Sequence, residues 1–435
     1  MSLKVVIIGG GSSYTPEIIE GLMARHPQFP VEEIALVDIE AGEAKLRIIE
    51  GLAKRMIAKS GLPISLTATL DRRDALKGAT YVTTQIRVGG LDAREKDERI
   101  PLSHGVLGQE TNGPGGVFKA FRTIPVLLEI AEDISEICPD AWLINFTNPA
   151  GMVTEALLKH SKHQKVIGVC NIPFNMRTGI SEVLHCQVED VEIEFIGLNH
   201  FVFGRRVYVR GEERTAEVLE NLMSDSTSYS PANIVSTGWS KAFLQSLRLL
   251  PSPYHQYYFK AQEMLEKSLE EYASGGTRAE VVKQVEKDLF EKYKMETLEE
   301  KPEELEKRGG AFYSDAACNI MNSMHNNLGD IQTVNVQNNG AIVDLPPEAV
   351  IEVNARMTRT GPKAMVVGKL PLPVKGAIQQ MKGFEELVIE AAVSGDKAVA
   401  YQALVMNPLV SNEEVASVIL EEMLEAHRTY LPQFR

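Results

Sequence analysis

Disulfide chemistry has little to work with in this chain: 435 residues carry four cysteines, Cys138, Cys170, Cys186 and Cys318, and no two form a C-x-x-C pair. Few and scattered thiols exclude a disulfide scaffold and imply a reduced, cytoplasmic setting. Basic charge is short as well. Lys plus Arg total 45 against 59 Asp plus Glu, a formal net charge of −14, which excludes binding to nucleic acid through a broad basic footprint. A small anionic ligand stays open, since it needs only a local cluster of arginines. No run approaches the roughly twenty apolar residues of a membrane span, and no charged-then-apolar leader opens the sequence. Internal repeats and low-complexity segments are missing too. What remains is ordinary globular composition, 44% hydrophobic and 24% charged, with enough length for one large domain or two.

The first half alternates strand-like and helix-like stretches. Apolar runs at 4–8 and 34–37, the second ending in Asp38, are followed by strands at 65–70, 81–86, 142–146 and 166–170. Periodic helical segments lie between them. Repeated βα units of this length predict a parallel sheet with helices on both faces, and ligands bind at the carboxyl ends of such strands. After residue 190 the rhythm changes. Strands at 191–197 and 203–209 predict an antiparallel continuation, followed by a mostly helical, polar region at about 214–330. The charge run at 296–308 reads as a solvated helix or loop. A strand at 333–337 and amphipathic helices near 373–395 and 412–428 close the chain. The expected organisation is a nucleotide-binding domain over 1–190 and an α+β domain over 191–435, with the site in the crevice between them.

Gly9-Gly10-Gly11-Ser12-Ser13-Tyr14 follows the first strand and opens a helix. Glycines at 9 and 11 let the backbone turn tightly and approach a pyrophosphate at the helix N-terminus, with Ser12 and Ser13 beside it. The third glycine of a dinucleotide fingerprint falls on Tyr14, so the motif is incomplete. Asp38 strengthens it, because a carboxylate there accepts from a ribose hydroxyl and repels a 2′-phosphate, favouring NAD over NADP. Cys170 and His200 each follow an apolar run, and a thiolate with an imidazole suits a divalent transition metal that keeps open positions. Taken singly, each is better read as a core residue; beside a dinucleotide turn, the metal reading gains. Gly108 to Gly116 either covers a ligand closely or is a mobile surface loop. Asn148 either contacts substrate or starts an Asn-Pro turn. The aromatic stretch from Pro251 to Tyr258 is by composition a packed loop.

Several blocks together resemble glycoside hydrolase family 4. They are Ile8 to Pro16, Ile86 to Gly89, Gly108 to Thr111, Asn145 to Pro149, Cys170 to Pro173, Gly197 to Phe201 and Asn338 to Gly340, in the family's order along nearly the whole chain. The resemblance implies a Rossmann-like doubly wound parallel sheet followed by an α+β C-terminal domain, a lactate/malate dehydrogenase-like architecture. It implies Cys170 and His200 as ligands for Mn²⁺ or another divalent metal, and Arg94, Asn148 and Asn171 as substrate contacts. Arg278 would hold a sugar phosphate, and Tyr254 would be the catalytic base. The α-glucoside members carry Asp after the metal-binding Cys as a general acid. Asn171 stands there in this chain, as in the 6-phospho-β-glucosidases.

The implied reaction departs from the usual pair of carboxylates, as family 4 does in general. NAD⁺ takes hydride from C3 of the sugar, Tyr254 removes the C2 proton, the aglycone leaves, water adds and the hydride returns. A phenol ordinarily titrates near ~10, so such a base needs positive charge nearby. The expected substrate is a phosphorylated disaccharide or β-glucoside, handled by a homodimer or homotetramer away from nucleic acid and membrane. The alternatives are a 6-phospho-α-glucosidase or α-galacturonidase of the same family, a plain NAD-dependent hydroxy-acid dehydrogenase, or a non-catalytic NAD sensor.

Overall fold

The computed structural model describes residues 3–223, 238–308, 313–410 and 412–435. Its first strand, Lys4–Ile8, is buried along its whole length. A continuous apolar run, rather than alternation, is what a central parallel strand covered on both faces requires. It pairs in parallel with Glu33–Val37 on one side and Tyr81–Thr84 on the other. Ser65–Thr69 continues beyond the second strand, and Trp142–Asn145 and Val166–Gly168 extend the far side, all parallel. By sequence the spatial order of these six is 3-2-1-4-5-6, the doubly wound dinucleotide order with its reversal between the first and fourth strands. The polar Ser65–Thr69 is partly exposed along most of its length, as an edge strand tolerates.

The sheet does not stop at residue 190. Ile331–Gln337 pairs antiparallel beside Val166–Gly168, then Val350–Thr358 and Gly361–Ala364 follow, giving nine strands in all. The strand expected at 333–337 is therefore the first of three. A second sheet is built on the hairpin Val191–Leu198 and Phe201–Val209. Asn354 joins the two sheets, its Oδ1 accepting from Phe195 N at 2.7 Å and its Nδ2 donating to the Ile193 carbonyl at 2.9 Å.

Helices cover the large sheet. Pro114–Ile137 packs against Ala150–His160 and Leu372–Ser394, while Thr15–Ala24 packs against Tyr313–Asn326. The expected helices near 373–395 and 412–428 are Leu372–Ser394 and Glu413–Ala426, with a further helix, Lys397–Met406, between them. Gly395, at φ 73°, ends the first, and Asp396 Oδ1 caps the next by accepting from Ala398 N at 2.7 Å. Of the helical region expected at 214–330, residues 224–237 and 309–312 lie outside the described residues. Its described part holds Thr215–Met223, Lys241–Leu247, Ala261–Gly275 and Arg278–Tyr293, and the charge run includes the short turn Glu303–Arg308. Among the described residues no helix is long and apolar enough to cross a membrane.

Candidate active site

The glycine turn sits where the sheet order reverses. Gly9 and Gly10 both donate to the Val37 carbonyl, at 2.9 and 2.8 Å, pinning the turn to the end of the second strand. Gly9 has φ 87°, and a Cβ there would lie 2.9 Å from the Gln85 carbonyl oxygen, so only glycine fits. Asp38 stands beside the turn as expected, but its carboxylate is already engaged. Oδ2 accepts from Gly11 N at 2.8 Å and Oδ1 from Ile39 N at 2.9 Å. Each oxygen keeps a second lone pair for a ribose hydroxyl. Ser12 is half-buried and lies within the turn, accepting from Tyr14 N through Oγ. Ser13 is turned elsewhere: it is buried, its hydroxyl donates to Glu286 at 3.4 Å and its carbonyl accepts from Tyr293.

A cavity of ≈ 440 Å³ has Arg94, Glu98, Glu110, Tyr254, Tyr257 and Arg278 in its wall. Arg94 comes from helix Gly90–Ser103 and Arg278 opens helix Arg278–Tyr293. Glu98 joins these elements, its Oε1 accepting from Arg94 Nε at 2.7 Å and its Oε2 from Ala279 N at 2.8 Å. Glu110 accepts from Arg87 at 2.6 Å and from Lys119 at 3.2 Å, and lies 3.4 Å from Arg94. Burial works against the Arg94 charge, yet the Glu110 and Glu98 carboxylates outweigh it and raise the pKa. Burial also opposes ionisation of Glu110, but Arg87, Arg94 and Lys119 hold its pKa well below the usual carboxylate range. Burial pushes Lys119 down to about 7, with Arg87 adding to the shift.

Gly108 to Gly116 is a packed turn that supplies cavity wall. Gln109 Oε1 accepts from the Thr111 and Asn112 N–H groups at 2.8 and 2.5 Å, and Gly108, Gln109 and Glu110 face the cavity.

Tyr254 lies in the short turn Pro253–His255, and its ring stacks on His200 with centroids 3.9 Å apart and an interplanar angle of 9°. His200 is the second residue of the two-residue turn joining Val191–Leu198 to Phe201–Val209 and has φ 59°. Left-handed backbone at a residue other than glycine is uncommon and concentrates at functional sites. Burial drives its pKa down to about 3, with Lys119 adding to the shift, so the imidazole is neutral at physiological pH, as a metal ligand must be. Its buried Nδ1 has no hydrogen-bond partner among the described residues.

Cys170 lies two residues beyond Val166–Gly168. Burial and then Glu352 push its thiol well above its ordinary range, while hydrogen bonds from Ile172 N, the Asn199 side chain and Asn171 N favour the thiolate. No cluster of three or more His, Cys, Asp or Glu suited to a metal occurs among the described residues. A soft sulfur and an orphaned imidazole nitrogen fit a divalent cation whose other positions are left to substrate or water. Cys170 also borders a larger cavity of ≈ 770 Å³ with Phe174, Arg177 and Asn354.

Asn148 and Asn171 end the two neighbouring strand segments. Asn148 precedes a cis Asn148–Pro149 peptide, and its Oδ1 accepts from Ala150 N at 3.3 Å. Asn171 caps helix Ile172–Val183, its carbonyl accepting from Asn175 N at 2.9 Å. Neither belongs to the wall of the smaller cavity, which takes Arg94, Tyr254 and Arg278 from the predicted set. Glu98, Lys119, Asn199 and Glu352 were not singled out from sequence. Their partners stand far along the chain, and only the glycine-rich and Gly-Leu-Asn-His blocks hinted at their neighbourhoods.

A doubly wound sheet, a glycine turn at its reversal point and a crevice walled by arginines, carboxylates and phenols define an α/β protein of the dinucleotide-binding class. Models of the family 4 glycosyl hydrolase and of its C-terminal domain match residues 4–186 and 195–410, and the chain belongs to that family. It is 56% identical over 432 residues, 99% of this chain and 98% of the other, to a probable 6-phospho-beta-glucosidase of Bacillus subtilis strain 168. The 6-phospho-beta glucosidase of Thermotoga maritima, solved with manganese, NAD⁺ and glucose-6-phosphate, superposes with a TM-score of 0.88 at 35% identity, covering 98% of this chain and 99% of that one. Malate dehydrogenase of Cryptosporidium parvum shares the fold alone, with a TM-score of 0.54 at 15% identity over 91% of this chain and 100% of that one. The expected family and dehydrogenase-like architecture are both borne out.

Proposed function

We propose that this chain hydrolyses 6-phospho-β-glucosides to glucose 6-phosphate and an aglycone, using bound NAD⁺ and a divalent metal such as Mn²⁺. The observation that carries it is the Tyr254 ring stacked on His200 in a cavity wall that also holds Arg94 and Arg278. A proton acceptor, a metal ligand and two anion-binding side chains thus meet at one place. Gly9, Gly11, Ser12 and Asp38 would hold the dinucleotide, with Ser13 supporting the turn from inside; Cys170 and His200 would hold the metal. When bound, the pair supplies reversible oxidation at the sugar and a Lewis acid that makes the adjacent C–H acidic.

The protein's own groups do the rest. Arg94 and Arg278 grip the 6-phosphate through charge-assisted, fork-shaped hydrogen bonds. Asn148 and Asn171 present amides to the sugar hydroxyls. Tyr254 takes the C2 proton at its phenolic oxygen and returns it after the aglycone has left. Asn171 has no acidic proton to give a leaving oxygen, which favours the β-glucosides over the α-linked members of the family. The likeness to the Bacillus protein supports the same choice. Residues 1–190 would carry the cofactor-binding turn together with Arg94, Asn148, Asn171 and Cys170, and residues 191–435 would add His200, Tyr254 and Arg278. A cytoplasmic setting agrees with four unpaired cysteines. A homodimer or homotetramer agrees with exposed apolar side chains such as Val366 and Leu372.

Cleavage of an aryl 6-phospho-β-glucoside tests this reading. Turnover is expected only with both NAD⁺ and a divalent metal, without net NADH build-up, and the unphosphorylated and α-linked analogues should react poorly. Full activity after exhaustive removal of either component would refute it, and stoichiometric NADH from substrate would point to a dehydrogenase.

A further inference from the structure

Three separate elements converge on one buried amide. Asn199 is the first residue of the hairpin turn that ends in His200, and it is 3% exposed. Its Oδ1 accepts from Gly151 N at 3.3 Å, in the first turn of the helix that follows Asn148–Pro149. Its Nδ2 donates to Glu352 Oε1 at 3.2 Å, on strand Val350–Thr358. The amide oxygen and nitrogen are thus committed to different elements, a helix and a strand. Glu352 Oε1 is held in turn by Asn335 Nδ2 at 2.9 Å. The approach to Gly151 is close enough that a Cβ there would stand 2.9 Å from the Asn199 Cβ.

We propose that Asn199 is a positioning residue for the metal site: it anchors the turn that presents His200, tying it to the helix beginning beside Asn148 and to the strand that carries Glu352. The inference rests on the reading of Cys170 and His200 as metal ligands. The physical case is orientation. A His held at φ 59° needs its preceding residue fixed. Partners that orient ligands in this way typically change metal affinity by about 10–100-fold when removed.

The test is Mn²⁺ affinity of the NAD-loaded protein by magnetic-resonance titration, with the thiolate-to-cobalt absorption band of the Co²⁺ form as a second readout. Asn199→Ala is expected to weaken Mn²⁺ by about 10–100-fold and to shift or dim the band, with NAD⁺ affinity and cooperative melting retained. Gly151→Ala removes no polar group and improves local helix propensity, yet its methyl must displace Asn199; it should weaken metal in the same direction. That second variant decides the matter if the first does not fold. Native Mn²⁺ affinity and a native cobalt spectrum in the folded variants would overturn the proposal. Undiminished metal binding in Cys170→Ser would instead refute the ligand assignment beneath it.

Discussion

Helix Gly90–Ser103 carries an ionic cluster on each of two sides. On one side Asp97 is wholly buried, takes both Arg122 nitrogens at 2.9 and 2.5 Å and lies 3.0 Å from His427 Nε2. On the other, Arg94 pairs with Glu98 and shares Glu110 with Arg87 and Lys119, at the edge of a cavity that Arg278 also lines. Asp97 meets its guanidinium as a bidentate pair and has no room for a further ligand. Around Arg94 the ions do not close on themselves: Arg94 and Arg278 both border open space, with Glu98, Glu110 and Glu271 in the same wall. A buried pair that closes on itself serves the fold, whereas arginines that border open space can still receive an anion. The two sides should therefore answer to different measurements.

Tyr254→Phe carries the largest expected effect on the cavity side. Only the phenolic oxygen is lost, so melting should hardly move, while turnover falls by about 10²–10⁴-fold, the usual contribution of a positioned general base. Solvent deuterium should enter C2 of the sugar in the wild type and not in the variant. Retained exchange would pass the role to another group, with Tyr257 next in the same wall; burial pushes its pKa up to about 12.

Asp97→Asn probes the closed side. The amide leaves Arg122 buried without its counter-charge, and breaking such a pair typically costs about 3–5 kcal/mol. Urea unfolding should register that loss, while the KM of the folded variant for the phosphorylated substrate stays near wild type. Lost substrate affinity at unchanged stability would erase the distinction between the two sides.

The parallel half of the sheet was legible because residues 4–8 and 34–37 are buried on both faces and so read as unbroken apolar runs. The antiparallel extension was only partly legible. In Val350–Thr358 the buried positions include Glu352, and its neighbour Asn354 bonds across to the second sheet, so polar letters interrupt the strand pattern for reasons of tertiary bonding. The helix Lys397–Met406 was missed because Gly395 and Asp396 look like the start of a loop, although here they form a stop and a cap. Cys170, His200 and the glycine turn carried chemical signals of their own. Tyr254 and Arg278 carried none and were reached through family resemblance. Asn199 was hidden further, since its work is defined by Gly151 and Glu352, which no local pattern connects to it.

Glu98→Gln gives the smallest expected effect and the sharpest test of the comparison. The carboxylate bridges Arg94 Nε and Ala279 N, so it stands between the two arginines proposed to hold the phosphate and bears the same sign as that phosphate. Removing one negative charge at roughly 7 Å relieves about 2 kcal/mol of repulsion at an effective dielectric constant of about 20. Glutamine keeps one acceptor and loses the other, which returns about 0.5–1.5 kcal/mol. The balance favours binding by about 1 kcal/mol, roughly fivefold in affinity, for glucose 6-phosphate measured by calorimetry, with inorganic phosphate following in the same direction. Weaker binding would mean that Glu98 is needed to aim Arg94 more than it repels the ligand. The cavity side would then be as self-contained as the Asp97 side, and repulsion from Glu98 would not be what limits substrate binding.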